Sequence, residues 1–219
     1  MMYISVNWNS FMGRPTEQVE GKLVALASIA AELHSVVDIA LSVSRAGKNA
    51  KVISAQAGDK GLGFRPITEQ IDELSKQTMD GVDEISHAAL ELSKIAVHEQ
   101  RSIDAYRRFD SVIKKESDAK YIKSMTGVMR NVEDSMRSSM SEFKKSMTRL
   151  TLLLESMDQC MLSARAVASV SRIVTSNASE YTAKLKVVAD DLDKAASYIK
   201  QKLANSYEHL NYVNMPTKK

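Results

Sequence analysis

The chain has 219 residues, of which 44% are hydrophobic and 26% charged, with a formal net charge of +3. This hydrophobic share is enough to bury a core, which excludes a disordered chain, and the interspersed charges form no basic block of the kind that binds nucleic acid. The single cysteine, Cys160, excludes an intrachain disulfide framework and predicts a protein of the reducing cytoplasm.

Proline and glycine are sparse, which favours helix along most of the chain. The prolines are Pro15, Pro66 and Pro216, and three of the eight glycines fall within residues 58–63. A sheet protein of this length would need turn residues at many more places. The sequence therefore predicts an all-α protein.

The first predicted helix follows Pro15, with Thr16 as its candidate N-cap, so that residues 1–15 form an N-terminal extension. Apolar residues then recur in steps of three and four, which is the period of a coiled-coil seam. This seam comprises Val19, Leu23, Leu26, Ala30, Leu33, Val37 and Ala40. It leads into the glycine cluster, which is predicted to close a sharp turn through left-handed backbone.

A second helix is predicted to restart at Pro66, because proline suits a first helical turn. Its stripe comprises Ile67, Ile71, Leu74, Thr78, Val82, Ile85, Ala89, Leu92, Ala96, Ile103, Tyr106 and Ile113.

The clearest seam lies in the second half of the chain. It comprises Val132, Met136, Met140, Phe143, Met147, Leu150, Leu154, Met157, Met161, Ala164 and Ala168. We interpret its methionines as flexible core filling, in preference to a peptide-binding surface. A last stripe, before a tail at residues 214–219, comprises Leu185, Val188, Leu192, Ala195, Ile199 and Leu203.

An internal repeat relates the two halves of the chain. The sequence Ser-Val-Ser-Arg at residues 42–45 recurs at 169–172, and Asn-Ala pairs begin at Asn49 and Asn177, 128 residues apart. Beyond the first turn, Ile67 lines up with Val188 at an offset of 121 residues. The second copy is thus shorter by one heptad, a loss that preserves the register of the seam.

We therefore expect two hairpins, at residues 16–117 and 118–213, with turns near Gly61 and Ser179 and a break at Ser117-Asp118. Packed together they form the four antiparallel helices of one bundle, a single-chain pseudo-dimer. The alternative is a three-helix arrangement that lacks the turn near Ser179.

The residues around the first turn resemble the signalling tip of bacterial methyl-accepting chemotaxis receptors. The shared pattern is an asparagine-alanine pair, an alanine-rich helix end, alanine-glycine-acid, glycine-x-glycine-phenylalanine and a leucine in the next helix. This chain carries it at Asn49, Ala50, Ala55, Ala57, Gly58, Asp59, Gly61, Gly63, Phe64 and Leu74, within about 35 residues. The resemblance implies a non-enzymatic cytoplasmic signalling or scaffold module, associated with receptor arrays, that binds the chemotaxis histidine kinase, the coupling adaptor or the receptors.

The resemblance also gives the candidate partner-binding residues. They are Asn49, Val52, Ile53, Gln56, Gly58, Asp59, Gly61, Gly63 and Phe64. The family usually has glutamate at the position of Ile53 and arginine at that of Gln56, so we expect Ile53 to present an outward apolar contact surface. A purely structural coiled-coil protein outside chemotaxis is the alternative, and a homodimer is left open.

No other motif predicts a site. The glycine cluster follows no predicted strand, as a phosphate loop would, and His87 and His98 have no third metal ligand nearby. Cys160 lies beside seam positions and is interpreted as a small buried hydrophobe. We expect no catalytic residue, metal or cofactor, and no stretch of about 18 uninterrupted apolar residues marks a membrane span.

Overall fold

The computed structural model describes residues 15–115, 122–175 and 181–214, and these ranges hold four long helices and no strand. Helix α1 spans Pro15–Gln56, α2 spans Arg65–Lys115, α3 spans Ile122–Thr175 and α4 spans Thr182–Asn214. A 3-10 helix, Gly58–Phe64, joins α1 to α2. The predicted all-α architecture of long helical hairpins is confirmed. α1 begins at Pro15, one residue before the predicted N-cap Thr16.

The helices follow chain order around the bundle, since α1 and α3 each pack against α2 and α4. Neighbouring helices are antiparallel. Between α1 and α4, for example, Glu32 contacts Lys202 and Ser35 contacts Tyr198, so positions advance in one helix as they recede in the other. This is the up-down-up-down topology of a four-helix bundle. The three-helix alternative is wrong, because α3 and α4 are separate helices that pack side by side.

The stripes predicted for α2 and α4 form two sides of the core. In α4 all six predicted residues are buried, and in α2 the nine from Ile67 to Ala96 are buried. These heptad steps keep one apolar face of each helix turned toward its three neighbours. The last three predicted residues of α2, Ile103, Tyr106 and Ile113, are only half-buried.

The seam predicted for α1 is correct at alternate positions only. Leu26, Leu33 and Ala40 are buried, and Val19 lies outside the residues with described side chains. The other predicted positions, Leu23, Ala30 and Val37, are half-buried, and Val37 still packs against the core. The residues fully buried beside them are Ile29 and Val36. In α3, similarly, Ser139 is buried in place of the predicted Met140, which is 41% exposed.

The two hairpins bury equivalent positions at the predicted offsets. Seven buried positions of α1 have a buried counterpart in α3 128 residues later, as Leu26 has in Leu154. Buried positions of α2 likewise have buried counterparts in α4 121 residues later, as Ile71 has in Leu192. The Ser-Val-Ser-Arg match is not equivalent, because Val43 is buried and Val170 is 50% exposed.

The first turn lies at the end of the bundle where α3 ends and α4 begins, which we call the tip end. Gly63 in the first turn lies against Val174, one residue before α3 ends. Asn177, Ser179 and Ser117-Asp118 lie outside the described residues.

One segment meets a length and composition test for crossing a membrane. Residues Glu20–Gln56 of α1 contain an 18-residue window of mean hydropathy 1.7, of which 33% is buried in the bundle. The sequence-based expectation considered only uninterrupted apolar runs and therefore missed it. A helix that packs one face into a bundle core meets the same test, so the finding is weak evidence for a span.

Candidate partner-binding tip

The tip begins just beyond the end of α1, at Gly58, whose left-handed backbone favours glycine. Among the described glycines, Gly58 alone has a positive φ, of 56°, a left-handed conformation that costs other residues energy. Just before it, the Ala57 N–H donates to the Ile53 carbonyl at 3.0 Å and completes the last turn of α1. The chain then continues as the 3-10 helix, so the predicted sharp turn is present, with one left-handed residue.

Gly61 is required for close approach of two backbone segments. A Cβ at this position would collide with the Ser54 carbonyl oxygen. The Ser54 hydroxyl, which is buried, donates to the Gly61 carbonyl at 2.5 Å. This hydrogen bond ties the end of α1 to the middle of the turn, and it satisfies two polar groups that burial would otherwise leave unpaired.

Phe64 closes the turn on its inner side. Its ring is 1% exposed and belongs to the central hydrophobic core. The Arg65 N–H donates to the Leu62 carbonyl, which joins the 3-10 helix to α2. Phe64 therefore anchors the turn between the arms and is inaccessible to a partner.

The predicted tip residues divide into accessible and structural sets. The expectation that Ile53 faces outward is wrong, because it is half-buried and packs against the core beside the seam residues Ala50 and Ser54. Gly61 and Phe64 are buried. The accessible residues are Asn49, Val52, Gln56, Gly58, Asp59 and Gly63.

A groove at the tip also contains residues that the sequence analysis missed. It has a volume of about 350 Å³ and is lined by Lys51, Ser54, Ala55, Gly58, Asp59, Leu62 and Arg65. Leu62 is 59% exposed, and Val52, which follows the groove residue Lys51 in α1, is 58% exposed. Leu62 occupies the variable position of the glycine-x-glycine motif, and an apolar residue there was the available signal.

The groove combines charged and apolar side chains. Lys51 and Arg65 supply cationic groups, Asp59 an anionic one, and Leu62 an apolar one. An apolar group within a polar rim is the composition that protein interfaces share.

The histidines lie far from the tip and make separate contacts. His87 is 3.6 Å from Asp83, and the His98 Nε2 is 3.3 Å from the Ser135 hydroxyl. Within the described ranges, no group of three or more His, Cys, Asp or Glu side chains could hold a metal ion.

Cys160 lies in a second cleft, between α2 and α3. Its thiol is 3.8 Å from the Thr78 hydroxyl, and partial burial raises its pKa. The cleft, of about 430 Å³, is lined mainly by polar side chains, among them Gln77, Asp80 and Glu84. Cys160 is thus less buried than the sequence interpretation held, and its raised pKa makes it a weak nucleophile at neutral pH.

Comparison with known proteins gives no relative for this arrangement. No family model matches the sequence, no curated protein is similar to it, and no solved structure matches the chain.

Proposed function

We propose that the chain is a non-enzymatic, chemoreceptor-like signalling or scaffold module of the cytoplasm that binds a chemotaxis protein through its hairpin tip. The partner is the histidine kinase, the coupling adaptor or a receptor. The observation that carries this proposal is Leu62, which is 59% exposed in a groove that charged side chains also line. Val52, the residue after the groove residue Lys51, is also exposed, at 58%. Both belong to the segment that resembles a receptor tip.

The construction of the tip supports a binding role. Gly58 permits the left-handed turn, and the buried Gly61 and Phe64 hold that turn against the end of α1 and the core. A preorganised surface loses little conformational entropy on binding. The partner then needs an apolar patch facing Val52 and Leu62.

The core offers a route for a signal along the bundle. Met147, Met157 and Met161 are buried in α3, and the methyl of Met157 occupies the space left by Gly81 on α2. Unbranched methionine side chains adapt to small shifts of neighbouring helices. Binding at the tip would bias one packing of these helices over another.

A direct test measures binding of purified kinase, adaptor and receptor to wild type and to Val52→Glu and Leu62→Glu. Each substitution places a charge in the apolar contact, so we expect each to weaken the relevant Kd by about tenfold or more. Leu90→Glu, at a site 53% exposed on α2, is the matched control and should bind as wild type. Circular dichroism checks that all variants fold.

The alternative is a purely structural coiled-coil protein. One observation favours it: the outer face of α3 exposes Leu162, Val170 and Ile173 in steps suited to lateral helix packing. If the tip variants retain every affinity, or no chemotaxis protein binds, this alternative takes the lead. The structural alternative would then be supported if the Val170→Glu variant no longer self-assembled or no longer bound a partner protein.

A further inference from the structure

Among the described residues, the end of the bundle opposite the tip has two helices, where the rest has four. Lys22 of α1 lies over the Phe143 ring of α3, with its Nζ 5.1 Å from the ring centroid. Because α1 and α3 run in the same direction, Pro15, where α1 begins, is level with about Met136. Gly21 lies against Tyr212, so described α4 ends close to the same level.

Beyond this level α2 and α3 continue together. We call residues 98–115 of α2 and 122–135 of α3 the extension; at 1.5 Å per residue it is roughly 20–27 Å long. Its two helices are in contact at the base of the extension, where the His98 Nε2 is 3.3 Å from the Ser135 hydroxyl. The described parts of α1 and α4 do not reach alongside it.

The apolar seam continues into the extension without full cover. In the four-helix part of α3, Leu150 and Leu154 are 0% exposed. In the extension, Met129 and Val132 of α3 and Ile103 and Tyr106 of α2 are all half-buried. The heptad pattern thus supplies half of a bundle core, and the two helices that would complete it are absent from the described residues.

We propose that the extension is a homodimer interface, in which the extension of a second copy supplies those two helices. A two-fold arrangement uses the same surface on both chains and closes on itself. The core seam of each chain would continue across the interface as one apolar layer. The two tips would then lie at opposite ends of the dimer, free for partners.

The charges of the extension favour a second copy as the occupant. Over its two helices the extension carries five acidic and seven basic residues, interspersed along the sequence. Glu99 and Arg107 both flank Ile103 on the helix surface, one residue of each sign. A surface that carries both signs can pair with a second copy of itself, whereas a strongly acidic or basic partner would require a large excess of one sign.

The test is the mass of the full-length protein by analytical ultracentrifugation over a range of concentrations. We expect twice the chain mass of 24.3 kDa at about 100 μM and dissociation on dilution. Val132→Glu and Ile103→Glu should each weaken dimerisation at least tenfold, because each places a charge in the seam. Both sites are half-buried, so the four-helix part should still fold, as circular dichroism would verify.

Two controls test whether another surface of the bundle forms the dimer and whether the N-terminal segment, instead of a second copy, covers the seam. Leu152→Glu, at a site 58% exposed on the four-helix part of α3, should dimerise as wild type. Deletion of residues 1–14 should leave the dimer intact. A monomer at every concentration overturns the proposal, as does a dimer that resists both extension variants. A monomer that dimerises only after the deletion identifies the N-terminal segment as the occupant and also overturns it.

Discussion

At the residue scale, Gly61 and Gly127 have different structural roles, and substitution by alanine should have opposite effects on stability at the two positions. We predict that Gly61→Ala lowers the free energy of unfolding by about 1–3 kcal/mol, because its Cβ meets backbone that cannot move aside. Gly127→Ala should raise it by about 0.5–1 kcal/mol, since Gly127 is helical with nothing within 4 Å of its Cβ position. Urea unfolding measures both, and equal effects would contradict the structure of the turn.

Phe64 shows why burial must guide the choice of binding probes. Phe64→Ala should cost about 3–5 kcal/mol in unfolding free energy, because the ring is 1% exposed and its removal leaves a cavity. Loss of partner binding in that variant would therefore report on the fold as much as on contact. A thermal melt compared with that of Leu62→Glu, at an exposed site, separates the two effects, and a small shift for Phe64→Ala would contradict its core position.

The candidate site was only partly predictable at this scale. The glycines and Phe64 stand out in the sequence because turns restrict residue type. The orientation of Ile53 did not follow, since a residue beside a seam turns inward or outward according to how the neighbouring helices cross. Leu62 and Arg65 were missed because the turn became a 3-10 helix, which sets which side chains border the groove.

At the scale of elements, the stripes of α2 and α4 were predictable because polar residues separate their apolar positions. In α1 the segment at residues 23–31 is almost wholly apolar, so several heptad registers satisfy the pattern. Only the neighbouring helices decide among these, and they select Ile29 and Val36. The sequence thus predicts that α1 is a core helix but leaves the rotation about its axis undetermined.

Ion pairs link α4 to both of its neighbours and should make stability depend on pH. Hydrogen bonds from Lys202 to Glu32 and from Arg172 to Asp193 lower the pKa of each carboxyl. The stabilisation from the two ion pairs is therefore present when the pH is above the ordinary carboxyl pKa values of 4.5 and 3.8, and it is lost as the pH falls below them.

We expect the melting temperature to fall between about pH 6 and pH 3, and Asp193→Asn to reduce that fall. These side chains are partly exposed, so screening by solvent keeps the stabilisation from each pair small. Asp191→Asn, at an exposed position two residues away, is the control and should keep the wild-type pH profile. Identical profiles for all three proteins would show that the pair adds nothing to stability.

Within α2 and α3, the extension and the part inside the four-helix bundle should differ in local stability. Hydrogen exchange measured at concentrations where the chain is monomeric should be at least about tenfold faster in the extension than at residues 71–96 of α2. The reason is that fewer apolar contacts hold the extension closed, since Ile103 and Val132 are half-buried where Ile85 and Leu92 are 0% exposed. Equal protection along α2 would mean that another part of the chain covers the seam.

At the scale of the whole molecule, each hairpin provides half of one core. The largest fully buried side chains come from both halves, among them Leu26 and Ile85 from the first hairpin and Leu154 and Leu203 from the second. α1 and α4 pack together, as do α2 and α3, so both long interfaces between hairpins lie within the core. Neither hairpin alone can cover its apolar face, and a two-helix hairpin in water is marginal.

We therefore predict that the chain, divided after Ser117, refolds only when its halves are combined. Each fragment alone should give a weak helical circular dichroism signal without a cooperative melt, and an equimolar mixture should recover both the signal and the melt. The mixture's melting temperature should rise with concentration, since association is now bimolecular. Leu150→Asp in the second fragment should prevent recovery, because residue 150 is 0% exposed in the shared core. A first hairpin that melts cooperatively as a monomer would show that the two halves are separate domains, each with a core of its own.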